Sequence, residues 1–114
     1  MADAEDGNTR NTASIGMDAA RARQILNRIV EETHRIRWTE HARERMTERG
    51  ISSTQVLRAI RHGQITEGPA PDLRGGWRLS LDVLAAGDPI RVVTVITRDE
   101  RGDLVVVITT HELE

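Results

Sequence analysis

The feature that most constrains the fold is a change to a two-residue hydrophobic period in the second half of the chain. Apolar and polar residues alternate over 77–83, apolar residues recur at every second position over 90–97, and 104–109 is almost entirely β-branched or aliphatic. Such alternation predicts strands, and the short Gly-containing segments between them predict hairpins. The last two strands are apolar on both faces. We therefore expect helices over one face and either the N-terminal helix or a second chain over the other.

Residues 17–63 have the three- to four-residue period of helices instead. Asp18 begins an amphipathic segment, which predicts a helix over about 18–33, and a short strand is expected at 35–38. Two shorter helices should follow. Thr39 and Gly50 bracket the first of them.

A capping box of the form S-x-x-Q at 52–55 begins the second short helix, which should end at Gly63. Residues 64–67 predict one more strand, and the Gly- and Pro-rich stretch 68–76 predicts a loop. The chain is thus predicted to be α+β, with an antiparallel sheet of about four strands, helices packed on one face, and an additional N-terminal helix.

The domain organisation is simple, because 114 residues suffice for one core. Residues 1–16 are small and polar, so we expect a flexible tail followed by a single domain over 17–114. No apolar run approaches the roughly 20 residues of a bilayer span, and the start has no secretory leader. We therefore expect a cytoplasmic protein without a membrane partner.

Composition narrows the chemistry. All 16 basic residues are Arg, and Lys, Cys, Tyr and Phe are absent. These absences exclude thiol nucleophiles, disulfides, Schiff-base lysines and tyrosyl acids. No H-x-x-x-H pattern occurs on a predicted helix, so we expect neither a metal nor another cofactor. The carboxylates at 82, 88, 99 and 103 fall mainly near hairpin ends, where turn formation explains them.

The charge is unevenly distributed along the chain. Residues 17–63 carry ten Arg against six acidic residues, whereas residues 64–114 carry five Arg against nine. A basic segment suits an anionic partner such as RNA. The same Arg residues would also suit solvated helix faces paired with Glu at one-turn spacing.

The string E-H-A-R-E-R-M-T-E-R-G-I at residues 40–51 resembles the opening signature of a family of small bacterial domains, the domain of unknown function 4258 family. The resemblance extends over residues 34–112. That family is similar in arrangement to the RelE and BrnT-type ribonuclease toxins, which have an antiparallel sheet with helices on one face. The resemblance therefore implies a toxin-type scaffold that acts on RNA, free or on the ribosome, and an antitoxin protein as partner.

Cleaving RNA without a metal requires two proton transfers and a cation that stabilises the phosphate. Histidine suits the proton transfers, and we take His41 and His111 as the catalytic candidates. Arginine suits the phosphate. The candidates for that contact are Arg45, Arg49, Arg78 and Arg91, since the first two share the stripe of His41 and the last two are out of phase with the apolar strand residues.

Alternative interpretations of these residues stay open. His41 and His111 also suit structural or surface positions, Arg45 and Arg49 also suit packing or pairing with Glu48, and the two Trp residues suit the core. The chain as a whole also fits a non-enzymatic module that forms a homodimer or docks a partner protein through its apolar strands. A nucleic-acid binder without chemistry is a third candidate, because the helices around Gly50 superficially resemble a helix-turn-helix.

Overall fold

The computed structural model describes residues 16–85 and 87–112, so the predicted tail lies outside the described residues except for Gly16. Three α-helices, five strands and one 3₁₀ turn at Thr33–Arg35 are present in this part of the chain. The helices are α1 (Ala19–Ile29), α2 (Glu40–Arg49) and α3 (Ser53–His62). The strands are β1 (Ile36–Trp38), β2 (Gln64–Pro71), β3 (Trp77–Ala85), β4 (Asp88–Asp99) and β5 (Gly102–Glu112).

The strands form one sheet in the order β1-β5-β4-β3-β2. The predicted α+β class is confirmed, and the sheet has five strands where about four were expected. All neighbours are antiparallel except β1, which pairs parallel to β5 with Ile36 opposite Val105. A parallel pair needs a long connection, and here α2, α3 and three strands supply it. The sequence of a three-residue strand does not specify such a distant partner.

Residues of one sheet face form the core with the helices. Cross-strand register brings Leu79, Leu81, Ile90, Val92 and Val105 onto this inner face, where each is at most 1% exposed. Each helix buries its apolar stripe in the same cluster, through Ala22, Ile25, Leu26, Ile29, Ala42, Val56, Ala59 and Ile60. All three helices of the described residues therefore pack on one face, and the N-terminal helix α1 does not cover the other face, which was one of the two expectations for it.

The helix ends follow the predicted signals. Asp18 accepts a hydrogen bond from the Arg21 backbone N–H, and Thr39 accepts one from that of Ala42. Gly50 is left-handed with a φ of 66°, and Ser52 and Gln55 form a reciprocal capping box.

Two boundaries differ substantially from the prediction. α1 ends at Ile29 rather than near 33, and the chain continues into the 3₁₀ turn Thr33–Arg35, from which Arg35 donates to the Asp99 carboxylate of the β4–β5 hairpin. β2 continues to Pro71 through residues that were predicted to be a loop. β2 is an edge strand, and an edge tolerates Pro because only one side must supply hydrogen bonds.

The second face of the sheet, which we call the outer face, carries Arg78, Ser80, Arg91, Val93 and Val95. No helix of the described residues packs on it. Val93 and Val95 are nevertheless only 7% and 5% exposed within the single chain. The N-terminal helix or a second chain had been expected to cover this face. These two side chains are covered without either of them.

None of the helices within the described residues has the length and apolar character that crossing a bilayer requires.

Arg23 joins α1 to the end of α3, and replacing it with alanine should destabilise the fold. Its guanidinium donates to the backbone oxygens of Ile60, Arg61 and Gly63, and partial burial lowers its pKa without neutralising it. Because these carbonyls end a helix, losing the cation leaves them without partners. We expect a loss of about 2 kcal/mol, or about 10 °C in Tm. Thermal denaturation measures it.

Arg61→Ala is the matched control for this prediction. Arg61 also bridges α3 and the segment after α1, by an ion pair of 2.8 Å to Glu31, but both side chains are largely exposed. Such surface pairs contribute roughly 0 to 1 kcal/mol. Equal losses for the two variants would contradict the role assigned to Arg23.

Acid should weaken the hairpin anchor formed by Arg35 and Asp99. The hydrogen bond from Arg35, followed by that from the Arg101 backbone N–H, lowers the pKa of Asp99 to about 2. A lowered carboxylate pKa means that the contribution is complete above the unfolded value near 4 and is lost as the pH falls toward 2. In thermal melts over this window, Tm should fall more steeply for the wild type than for Asp99→Asn. Parallel curves would contradict the assignment.

Candidate functional site

A row of polar residues crosses the sheet at the far end of β3. In this row Gln64 is the register partner of Asp82, Asp82 that of Arg91, and Arg91 that of His111. Directly opposite residues of antiparallel strands have Cβ atoms about 5 Å apart. Four neighbouring strands therefore bring an amide, a carboxylate, a guanidinium and a histidine position together.

Asp82 holds Arg91 along one edge of the guanidinium. The Arg91 Nε donates to Asp82 Oδ1 at 2.7 Å, and NH2 donates to Oδ2 at 2.9 Å. The Arg91 side chain is 28% exposed and that of Asp82 is 21% exposed. This two-pronged bond fixes the plane and direction of the guanidinium.

The other edge of Arg91, formed by NH1 and NH2, is less engaged. Among the described residues, NH1 has an ion pair to Glu67 Oε1 at 3.9 Å, which is too long for a hydrogen bond. Arg has five N–H donors, and Asp82 accepts from only two of them. An acceptor approaching this edge could receive two parallel hydrogen bonds, which is the contact that phosphate oxygens make.

Glu67 and Ser80 border this edge. The Ser80 hydroxyl donates to Glu67 Oε1 at 3.0 Å, and Ser80 itself is only 5% exposed. The Glu67 side chain is largely exposed. Glu67 is therefore held beside the Arg91 edge by Ser80, while most of its side chain faces solvent.

Arg91 remains a cation at any ordinary pH. The hydrogen bond to Asp82 is the largest influence that raises its pKa, and the nearby charges of Asp82 and Glu67 act in the same direction. Arg91 can therefore stabilise negative charge, but it cannot exchange protons.

Arg78 shares the outer face with Arg91 but lies near the start of β3, on the other side of the sheet's length from the Asp82–Arg91 row. Four residues separate it from the Asp82 position, or about 13 Å along the strand. Its side chain is 48% exposed, and its ion pair to Asp72 is loose at 3.7 Å. The two strand arginines thus form a line of cations on one face.

His111 is the register partner of Arg91 on β5. Its side chain lies outside those that the structure describes. Its predicted role in catalysis therefore stays a prediction.

His41, Arg45 and Arg49 lie on α2 in the helical layer, not on the strands. His41 and Arg49 are exposed, and Arg45 pairs with Glu48 at 3.4 Å. This pair is the alternative that the spacing had left open. α2 begins directly after β1 and packs closest to β5. The structure therefore groups Arg78 and Arg91 with the His111 position, and it groups the other three candidates on α2.

Sequence reasoning missed Asp82, Glu67 and Ser80 as members of this row and its border. The explanation of Asp82 by turn formation is incorrect, since it lies within β3 opposite Arg91. Asp99 and Asp103 lie near a hairpin end as expected, but both also pair with Arg side chains. The signal that could have identified Asp82 is the register of the β3–β4 hairpin. In an antiparallel hairpin the residue numbers of opposite residues add up to the same value for every pair, so one known pair places Asp82 opposite Arg91.

Within the described residues, no three His, Asp or Glu side chains are grouped as metal ligands would be.

The residues of this site lie in the part of the chain that matches a known protein family. A family model described as "Domain of unknown function (DUF4258)" matches residues 38–112, which include α2, α3 and strands β2 to β5. No curated protein and no solved structure matches the chain. The family match covers well over half of the 114 residues. The chain therefore belongs to the DUF4258 family.

Proposed function

We propose that this protein is a toxin-type ribonuclease that cleaves the RNA phosphodiester without a metal, at the outer face of the sheet. The observation that carries the proposal is the way in which the Arg91 guanidinium is held. Asp82 fixes its guanidinium along one edge, and the opposite edge faces the exposed carboxylate of Glu67, which at 3.9 Å is too far away for a hydrogen bond. Because the Arg91 side chain is 28% exposed, this second edge is open to an acceptor from solvent.

In this proposal Arg91 binds the scissile phosphate and stabilises its developing charge. Arg78 binds another phosphate of the same strand. The separation of about 13 Å between their rows requires an extended ligand. A single-stranded polyanion meets this requirement better than a small molecule does.

The reaction requires one proton acceptor and one donor. The acceptor takes the 2′-hydroxyl proton while that oxygen attacks phosphorus, and the donor protonates the 5′-oxygen as the P–O5′ bond breaks. The products are a 2′,3′-cyclic phosphate and a free 5′-hydroxyl. We assign one transfer to His111, because it is the register partner of Arg91. His41 was predicted to make the other transfer, but α2 lies in the helical layer on the inner face, so the position of His41 does not support that part of the prediction.

The same site implies how a partner would silence the protein. An acidic segment of an antitoxin protein that paired with Arg78 and Arg91 would exclude the phosphates of RNA. This partner and the RNA are parts of the proposal and rest on the two arginines of the outer face.

The test is to incubate the purified chain with end-labelled single-stranded RNA in excess chelator and to analyse the products. We expect fragments ending in 2′,3′-cyclic phosphate, with His111→Ala inactive. Absence of cleavage, or cleavage that survives His111→Ala unchanged, would remove the catalytic proposal. Salt-dependent binding of intact RNA would then favour a binding function without chemistry.

A docking module has less support. Val93 and Val95 are covered within the single chain, and the large apolar side chains that are exposed among the described residues, Leu73 and Leu84, stand at separate hairpin ends. They do not form one patch of the kind that marks a dimer interface.

A further inference from the structure

A cavity of about 360 Å³ lies at the opposite end of β3 from the Asp82–Arg91 row, between α1 and the sheet. It is lined by Met17, which lies just before α1, and by Arg21 and Ile25, which are one turn apart on one stripe of α1. From the sheet it is lined by Trp77 and its cross-strand partner Ile96. This volume lies within the range of small-molecule sites.

Gly76 keeps the chain close to β4 beside this cavity. A Cβ at this position would lie 2.6 Å from the Ile96 backbone oxygen, and the φ of 85° also excludes ordinary side chains. The β2–β3 turn therefore ends without a side chain beside Trp77. The indole, which is half-buried, remains accessible from the cavity.

Two guanidinium groups border the cavity. Arg21 is exposed, and its guanidinium has no partner among the described residues. Arg98 has a side chain that is 76% exposed, and its contact to Asp103 is loose at 3.7 Å. The Asp103 carboxylate also lines the cavity, but it is paired with Arg28 of α1. An aromatic surface beside two guanidinium groups suits a ligand that has both a flat ring and negative charge.

We propose that this cavity binds one nucleotide, with the base stacked on Trp77 and the phosphate bound by Arg21 and Arg98. The inference rests on the proposed function in one respect, which is that the nucleotide belongs to the RNA strand bound at the outer face. Trp77 and Arg78 are consecutive in β3 and lie on its two faces, so a strand passing the end of β3 can contact both. Stacking on an aromatic side chain tolerates any base, so this subsite provides affinity rather than sequence selection.

The test measures mononucleotide binding separately from RNA cleavage. The chain has two Trp residues, so in a Trp38→Phe variant of the full chain the fluorescence reports on Trp77 alone. Circular dichroism verifies that this variant is folded. Titration with adenosine 5′-monophosphate should quench the fluorescence saturably, whereas inorganic phosphate should not quench it. Adenosine without phosphate should bind about tenfold more weakly, as should the nucleotide to Arg21→Ala.

Arg43→Ala is the matched control, because Arg43 is an exposed Arg on α2 away from the cavity. Its affinity for the nucleotide should be unchanged. Fluorescence that does not respond to the nucleotide while RNA is still cleaved would overturn the cavity proposal and retain the ribonuclease. Saturable quenching without any RNA cleavage would retain the nucleotide site and remove the ribonuclease. Equal weakening by Arg21→Ala and Arg43→Ala would overturn the assignment to this cavity.

Discussion

Replacing Arg91 with alanine is expected to lower the rate of RNA cleavage at least a hundredfold, in addition to the stability lost with the two-pronged bond to Asp82. The variant loses the two N–H donors that we assign to the phosphate in the transition state. Removing one such preorganised donor from an active site typically costs on the order of a hundredfold to a thousandfold in rate. The measurement is the single-turnover cleavage rate of labelled RNA in chelator, for variants whose circular dichroism matches the wild type.

Three further variants, with Arg101→Ala as their control, show whether the geometry of Arg91 matters. Arg91→Lys retains the charge but not the planar fork, and it should recover only a small part of the activity. Asp82→Asn leaves the guanidinium in place but weakens the bond that orients it, so Asp82 is a positioning residue whose loss should be rescued partly by Asp82→Glu. Arg101→Ala, at the exposed end of the β4–β5 hairpin, is the control and should cleave at the wild-type rate. Full activity in Arg91→Lys would show that charge alone is required there.

Replacing Ile60 with alanine is expected to cost about 3 kcal/mol of unfolding free energy. Ile60 is fully buried where α3 packs on the inner face, and Ala22 and Leu26 of α1 belong to the same core cluster. The lost side chain leaves a cavity that a close-packed core fills only in part. Urea denaturation followed by circular dichroism measures the change.

Leu84→Ala is the control for the core prediction, since Leu84 is 63% exposed at the β3–β4 hairpin. We expect a change within about 0.5 kcal/mol. A loss at Ile60 no larger than the loss at Leu84 would contradict the packing of α3 described above.

Local signals predicted most of the secondary structure. The capping residues Thr39 and Ser52 and the left-handed Gly50 act within a few residues of themselves, so their sequence positions suffice. The parallel pairing of β1 with β5 depends on residues about 70 positions apart, and the edge position of β2 depends on the final order of the sheet. Neither can be predicted from a local pattern. For this reason the sheet has one strand more than predicted, and β2 is longer than predicted.

The candidate site was predicted only in part for the same reason. Strand phase was enough to place Arg78 and Arg91 on one face, because side chains alternate strictly along a strand. To predict the role of Asp82, one must know the register of the β3–β4 hairpin. To predict the role of Glu67, one must know where the pairing of the edge strand β2 with β3 shifts in register. The pairing of Arg45 with Glu48 was foreseeable from their spacing, yet spacing alone could not decide between that pairing and a phosphate.

The central claim is that RNA lies on the outer face of the sheet, against Arg91 and Arg78. The most direct test is an NMR titration of the full chain with a 2′-O-methylated oligoribonucleotide, which cannot be cleaved because its 2′-oxygen has no proton. We predict that the backbone amides of Ser80, Asp82, Arg91 and Val93 shift, together with the Arg91 Nε–H. Shifts confined to α2 and α3, with the outer face unchanged, would contradict the account.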